Sequence, residues 1–414
     1  MNETLAKSEA CRRRWLDTPA PRRDPRRAVP ARLAARTREL RPFLAMEVLE
    51  RALALEAAGA KVLHLELGEP DGPPPPAAVE AARAGLAEGA TRYTDSRGLR
   101  ALREAIAADT EKRTGVAVDA ERVLVTSGTS PAMLLVFSLL VEPGDEVLLA
   151  APHYPCYPNF IRLWGGTPVP VRCDPEDGWR LHPERVRAAR TPRTRALVVA
   201  SPANPTGAVQ DLASLAELAG LGLPVVSDEI YGGLVYDGAR APSALETGAP
   251  DVFVLDGFSK RYAMTGFRLG WVIAPSLETA RTLQILAQNL FISASEFVQR
   301  AGIAALAEGE ATLVAMRERY ARQRARMLEG LDGIGLRVHA KPAGAFYVLA
   351  DARHVDRDSR RLAFRLLEEA HVAVTPGIDF GEAAEGFLRL CYAVSDATLD
   401  EALARMAGVL GRAP

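Results

Sequence analysis

The feature that most constrains the fold is a series of short, almost wholly apolar segments in the middle of the chain. Helical or loop sequences separate six of them: RVLVTS, DEVLLAA, ALVVASP, PVVSDEI, VFVLDGF and GWVIA. Strands that are apolar along their whole length are typical of a sheet buried on both faces. Their alternation with helical segments predicts an α/β domain built largely from parallel strands.

The flanking sequences predict further helices and a smaller domain. PFLAMEVLERALALEAAG, PAAVEAARAGLAEG and GLRALREAIAADTEKRTG carry apolar residues at helical spacing, and KVLHLELG predicts a short strand. After about residue 300, a long helical stretch precedes AGAFYVLAD, VAVTPG and FLRLCYAVS, which is typical of an α+β unit. We therefore expect a large domain at 76–299 and a small domain formed by 32–75 and 300–414.

Residues 1–31 differ from the rest of the chain. They are rich in arginine and proline and have little apolar periodicity, which predicts a disordered arginine-rich arm. The RRRWL sequence in this arm resembles a twin-arginine export signal, but no apolar segment follows it. We therefore do not interpret it as one.

Composition argues against several classes of partner. The formal net charge of −1 provides no general attraction to nucleic acid or anionic membranes. No apolar run approaches the roughly 20 residues that cross a bilayer. The four cysteines and six histidines are dispersed, without metal-ligand spacing. We expect no metal, no nucleic acid, no membrane association and a reducing, cytoplasmic location.

Polar clusters follow four of the predicted strands: SGTS, SPANPTG, SDEIY and GFSK. In open α/β sheets, ligands bind beyond the carboxyl ends of the strands. We therefore expect these four clusters to form one ligand site.

One lysine in these clusters has the position of a nucleophile. Lys260 directly follows a predicted buried strand, where desolvation favours the neutral amine that attacks an aldehyde. Arg268, eight residues later, is a permanent cation suited to a phosphate. The alternative is a surface lysine near a solvated arginine.

The neighbouring clusters contain groups that suit a flat nitrogen heterocycle. Asp228 could keep a pyridine nitrogen protonated, while Tyr231 and Asn204 could hydrogen-bond a ring oxygen. The alternatives are a helix N-cap around Asp228 and an ordinary turn around Asn204.

Two further segments complete the pattern. Gly128, Thr129 and Ser130 stand between a strand and an apolar helix, where free backbone N–H groups bind anions. Tyr154 offers a ring that could stack on a heterocycle. Ordinary helix capping and aromatic packing are the alternatives.

With these residues in place, the chain resembles a known family over residues 32–410. HLELGEPD, RYTDSRGLRALREAIA, SPANPTG, SDEIY, SKRYAMTGFRLGW and FLRLCYAVS match, in order, the fold-type-I, class I/II aminotransferases. The prokaryotic branch labelled aspartate or alanine aminotransferase is the most similar. The resemblance implies a pyridoxal 5′-phosphate cofactor and a large domain with a mainly parallel seven-stranded sheet.

The resemblance also implies roles around the cofactor ring. Lys260 would form a Schiff base with the cofactor, and Asp228 would pair with its ring nitrogen. Asn204 and Tyr231 would bind the ring oxygen, and Tyr154 would stack on the ring.

Further implied roles concern the cofactor phosphate. Gly128, Thr129, Ser130 and Arg268 would hold it within the same subunit. Tyr93 would reach the phosphate of a neighbouring subunit, which implies a homodimer with active sites at the interface.

The implied substrate site centres on Arg389, whose planar guanidinium would bind the α-carboxylate beside Gly68 and Asn204. The sequence departs from the family pattern at two positions. Gly257 stands where many relatives have a phosphate-binding serine, and Ser130 stands where some acid-specific relatives have lysine. The second departure favours neutral amino acids as substrates.

These roles predict ping-pong transfer of an amino group between an amino acid and a 2-oxo acid. A β-eliminating C–S lyase or related synthase on the same fold is the alternative, because the side-chain pocket decides between these outcomes. A DNA-binding regulator is the third possibility. However, 1–31 is too short for the winged helix-turn-helix that precedes such regulators.

Overall fold

The computed structural model describes residues 33–411. The predicted disordered arm at 1–31 lies outside the described residues. The strands are β1 (Leu63–His64), β2 (Val123–Thr126), β3 (Glu146–Ala151), β4 (Thr167–Arg172), β5 (Thr194–Ala200), β6 (Val225–Asp228), β7 (Val252–Gly257), β8 (Gly270–Ile273), β9 (Tyr347–Asp351), β10 (Val372–Ala373), β11 (Thr375–Pro376) and β12 (Phe387–Cys391).

The α-helices are interspersed with short 3₁₀ turns. They are α1 (Leu44–Ala57), α2 (Pro76–Ala87), α3 (Arg100–Thr114), α4 (Thr129–Leu140), α5 (Cys156–Leu163), α6 (Pro183–Ala189), α7 (Leu212–Ala219), α8 (Phe258–Arg261), α9 (Leu277–Leu290), α10 (Glu296–Glu308), α11 (Glu310–Gly333), α12 (Ser359–Ala370) and α13 (Asp396–Leu410). Within residues 33–411, no helix is both long and apolar enough to cross a membrane.

Seven strands form the central sheet in the order β2-β8-β7-β6-β5-β3-β4. β8 is antiparallel to both of its neighbours, and the remaining pairs are parallel. The predicted mainly parallel seven-stranded sheet is therefore confirmed. Six of its strands are the apolar segments identified in the sequence.

The seventh strand, β4, was not predicted. Its sequence, TPVPVR, contains Pro168 and Pro170, and most of its residues are at least partly exposed. Proline cannot donate to a sheet, so it is confined largely to edge strands and bulges. β4 lies at the edge and pairs only with β3, which explains why a proline-containing segment forms a strand here.

Helices cover both faces of the sheet. Leu149 packs in an apolar cluster with α4 and α9 on one face. The adjacent Leu148 belongs to a different cluster, which contains residues of α2, α3 and α10. Successive side chains of a strand point to opposite faces, so this division confirms that the sheet is buried on both sides.

A smaller α+β unit packs around two short sheets. β9, β12 and β11 form an antiparallel sheet, and β1 pairs in parallel with β10. Its apolar cluster contains Leu65 from the N-terminal part and Met327, Leu388 and Leu403 from the C-terminal part. Distant parts of the chain therefore share one core. The domain limits at 75 and 299 stay a prediction.

Candidate active site

The polar clusters meet at the carboxyl edge of the large sheet, where the sequence predicted a ligand site. Asp228 is the last residue of β6, and Lys260 lies in α8 immediately after β7. Asn204 follows β5 and accepts a hydrogen bond from Arg389 of the small sheet. The site therefore lies where the small α+β unit meets the edge of the large sheet.

Lys260 points into the protein. Its Nζ donates a hydrogen bond to the backbone oxygen of Gly68 at 2.5 Å. Part of the side chain remains accessible, but the amine is surrounded by protein atoms. Burial lowers the pKa of Lys260 to about 8, and Arg389 and Arg268 act in the same direction. This environment differs from that of a solvated surface lysine.

Asp228 is buried behind this amine. It does not cap a helix, because a turn follows β6 and the Asp228 Oδ1 accepts from the Ile230 N–H at 3.3 Å. The hydroxyl of Tyr157 donates to its Oδ2 at 2.6 Å. Burial raises the pKa of Asp228, while the Tyr157 hydrogen bond and the charge of Lys260 oppose that shift.

Tyr157 was missed in the sequence. It stands three residues after Tyr154 at the start of α5, and the two rings pack edge to face with centroids 5.3 Å apart. No local sequence signal pointed to it, because its hydroxyl meets a carboxylate 71 residues further along the chain.

Tyr231 is paired with a second residue that the sequence did not identify. Its hydroxyl oxygen lies 2.7 Å from the hydroxyl oxygen of Tyr347, and both side chains are buried. Tyr347 begins β9, where its apolar neighbours carry no signal of a site. Burial raises the pKa of both phenols, so they remain neutral.

Arg389 is a fully buried cation with spare hydrogen-bonding capacity. One terminal nitrogen, Nη1, donates to Asn204 Oδ1 at 3.1 Å. The other, Nη2, donates to Thr375 Oγ1 at 3.0 Å and to the backbone oxygen of Glu66. Its Nε has no hydrogen-bond partner. A buried unpartnered N–H of a cation fits an anionic ligand such as a carboxylate.

A second anion site lies at the N-terminus of α4. Gly128 is the N-cap residue of this helix at a φ of 93°, and it has no side chain to bond the first turn. A Cβ at Gly128 would lie 2.8 Å from the Arg268 guanidinium, so glycine permits that close approach. An uncapped N-terminus beside an arginine fits a phosphate. Thr129 and Ser130 are the first two residues of the helix.

Two other glycines are explained by close contacts. A Cβ at Gly68 would lie 1.8 Å from the Tyr347 hydroxyl oxygen. A Cβ at Gly257 would lie 3.0 Å from the backbone oxygen of Leu269, where the ends of β7 and β8 approach each other. A side chain at 257 would therefore require these neighbours to shift by a few tenths of an ångström.

The remaining aromatic residues occupy different environments. Tyr154 is half-buried and packs edge to face against Phe43, with ring centroids 6.0 Å apart. Tyr93 is 80 % exposed. It does not join the cluster formed by the other predicted residues of its own chain.

Comparisons with known proteins agree with this geometry. The family model "Aminotransferase class I and II" matches residues 60–406. An aspartate/prephenate aminotransferase of Thermus thermophilus is 42 % identical over 390 residues, covering 92 % of this chain and 99 % of the relative. An arginine–pyruvate transaminase of Pseudomonas aeruginosa is 40 % identical over 369 residues, covering 88 % and 93 %. The solved structure of an aspartate aminotransferase from Thermus thermophilus with maleate is 40 % identical, with a TM-score of 0.87 over 91 % of this chain and 99 % of that one.

The fold and the matches define a pyridoxal-phosphate-dependent transferase of fold type I. The chain belongs to the class I and II aminotransferase family. It is an aminotransferase that uses pyridoxal 5′-phosphate to move an amino group between an amino acid and a 2-oxo acid.

Proposed function

We propose that the cluster around Lys260 is the active site and that it binds pyridoxal phosphate through the residues identified in the sequence. The observation that carries this proposal is the buried Lys260 amine, held 2.5 Å from the Gly68 oxygen beside a buried carboxylate. The uncapped α4 N-terminus with Arg268 fits the cofactor phosphate. Asp228 fits its ring nitrogen, because a buried carboxylate stabilises a proton on a pyridine.

When bound, pyridoxal phosphate supplies an aldehyde for the amino group and a ring that withdraws electrons from the substrate α-carbon. Lys260 would hold the cofactor covalently, and its amine would be the base that moves the substrate α-proton. Asp228 would hold a proton on the ring nitrogen, and Tyr157 orients this carboxylate through its 2.6 Å hydrogen bond. Tyr231 and Asn204 would donate to the ring oxygen, and the Tyr154 ring would pack against the cofactor ring. The amino group leaves and returns in two separate half-reactions, giving ping-pong kinetics.

Arg389 binds the substrate α-carboxylate, with Gly68 and Asn204 beside it. The unpartnered Nε supports this role, because a carboxylate accepts two parallel hydrogen bonds from guanidinium. Ser130 places no cation at the position where some acid-specific relatives have lysine. We therefore propose that the substrate side chain is neutral.

We further propose that the enzyme is a homodimer. Tyr93 and three consecutive apolar residues form an exposed surface, called here the apolar patch: Tyr93, Leu290, Phe291 and Ile292. The Thr94 N–H donates to Ser293 Oγ at 3.3 Å, so the two parts of the patch are joined. A second copy of the chain would cover the patch and bring Tyr93 to the neighbouring phosphate.

A cytoplasmic location is proposed from the scattered cysteines, of which Cys156, Cys173 and Cys391 are free thiols.

The test is a panel of amino acids incubated with the holoenzyme while the cofactor absorbance reports its conversion to the amine form. Alanine, valine, leucine and phenylalanine should convert the cofactor faster than aspartate or glutamate. Ser130→Lys should increase the rate with aspartate relative to that with alanine, because it supplies the cation that some acid-specific relatives have at this position. Faster conversion by aspartate in the unsubstituted enzyme would contradict the neutral-substrate proposal.

Two controls test the site itself. Borohydride reduction should fix the cofactor on the peptide that contains Lys260, and Lys260→Ala should lose both the adduct and turnover. Pyruvate and ammonia released from cystathionine, without conversion to the amine form, would favour the C–S lyase alternative.

A further inference from the structure

Tyr347 occupies a position that none of the proposed roles explains. Its hydroxyl lies 2.7 Å from that of Tyr231, which is assigned to the cofactor ring oxygen. Its ring lies beneath the Arg389 guanidinium, with the guanidinium carbon 4.4 Å from the ring centroid. One phenol therefore touches both the residue assigned to the cofactor oxygen and the residue assigned to the substrate carboxylate.

The hydrogen bond between the two hydroxyls would have a defined direction when the cofactor is present. A phenol has a single proton to donate. If Tyr231 donates its proton to the cofactor ring oxygen, the hydrogen bond between the two tyrosines requires Tyr347 to be the donor. A hydroxyl that accepts a hydrogen bond becomes a stronger donor itself. Tyr347 would then strengthen the contact between Tyr231 and the cofactor.

We propose that Tyr347 is a positioning residue that acts through Tyr231 on the protonation of the lysine-linked cofactor, and through its ring on Arg389. This inference rests on the proposed cofactor site. The close approach of Gly68 supports it, because the absence of a Cβ there is what leaves room for the Tyr347 hydroxyl. The hydroxyl would act on Tyr231 and the ring on Arg389, so different substitutions of Tyr347 separate the two effects.

The effect of the hydroxyl has a predictable sign. Without Tyr347 as donor, Tyr231 draws less negative charge from the cofactor ring oxygen. The Lys260 nitrogen that is joined to the cofactor near that oxygen would then hold its proton to a higher pH. Tyr347→Phe should raise the pH midpoint of the visible cofactor absorbance by about half a pH unit.

The experiment is a spectroscopic pH titration of the holoenzyme, combined with binding of 3-phenylpropionate, an unreactive carboxylate. Tyr347→Phe retains the ring. The dissociation constant of 3-phenylpropionate, measured at a pH where the nitrogen between Lys260 and the cofactor is fully protonated, should therefore be unchanged. Tyr347→Leu removes the ring and should weaken that binding several-fold.

Tyr392→Phe is the matched control. Tyr392 is equally buried, but its hydroxyl donates to the backbone oxygen of Ala345 at 3.1 Å and not to Tyr231. The pH midpoint of the cofactor absorbance in Tyr392→Phe should equal that of the unsubstituted enzyme. An unchanged midpoint in Tyr347→Phe, or an equal shift in Tyr392→Phe, overturns the inference. A holoenzyme with no visible band that depends on Lys260 would instead overturn the proposed cofactor site, and this inference with it.

Discussion

At the scale of single residues, burial lowers the pKa of the Lys260 amine. A solvated lysine has a pKa near 10.5, whereas the Lys260 pKa is lowered to about 8. Because only the neutral amine attacks an aldehyde, the cofactor-free enzyme should capture pyridoxal phosphate at a rate that rises with pH and levels off above about pH 8.

Stopped-flow absorbance measurements between pH 6 and 10, in steps of roughly one pH unit, would give this profile. Free lysine provides the comparison. A capture rate that continued to rise towards pH 10.5 would contradict the lowered pKa of Lys260.

The same scale shows which site residues a sequence can reveal. Asp228 and Lys260 could be predicted as members of the candidate site because each stands at or just after the end of an apolar strand, a position that topology alone directs to the ligand edge. Tyr157 and Tyr347 were missed. Their hydroxyls meet Asp228 and Tyr231 across 71 and 116 residues of chain, respectively, and no local pattern records such a contact.

At the scale of elements, a buried ion pair fixes the short helix that carries Lys260. Arg261 in α8 donates to both oxygens of Asp109 in α3, at 2.6 and 2.9 Å. Both side chains are almost fully buried. Arg113 adds a 2.8 Å contact to Asp109 and reaches Asp256 at 3.2 Å. The orientation of α8 therefore depends on charges held away from water.

Asp109→Ala should lower the free energy of unfolding by about 3 kcal/mol, because it leaves the Arg261 guanidinium buried without its carboxylate. Urea denaturation at fixed protein concentration would measure the change. The double variant Asp109→Ala/Arg261→Met should recover most of the loss, since it removes the unpaired charge as well. Glu104→Ala breaks an exposed pair with Arg100 on the same helix and should have no measurable effect. Equal losses in the single and double variants would contradict this account.

The elements also show where local sequence is insufficient. The six apolar strands could be predicted because burial on both faces removes polar residues from them. β4 escaped detection because an edge position tolerates exposure and proline. The antiparallel direction of β8 depends on how the chain returns after α8, a property that the apolar pattern of GWVIA does not encode.

At the scale of the whole molecule, the single chain leaves the apolar patch uncovered. Leu290, Phe291 and Ile292 are 47, 39 and 45 % exposed, and Tyr93 is 80 % exposed beside them. Gln284 donates to Ser96 Oγ at 3.1 Å and so holds the segment after Tyr93 against α9. The segment after Tyr93 is therefore held in place while the Tyr93 side chain is exposed, as the proposed contact with a neighbouring subunit requires.

Mixed dimers would test whether Tyr93 acts across the interface. Lys260→Ala removes the lysine of its own site, whereas Tyr93→Ala should impair the site of the neighbouring subunit. A heterodimer of one Lys260→Ala chain and one Tyr93→Ala chain would then contain one site with both residues intact. Its activity should be about half that of the unsubstituted dimer, although each parent homodimer is nearly inactive at limiting cofactor. Two affinity tags would allow the heterodimer to be purified, and a dimer of one unsubstituted and one Lys260→Ala chain sets the half-active reference. If Tyr93 acts within its own chain, the heterodimer has no complete site and shows no recovery.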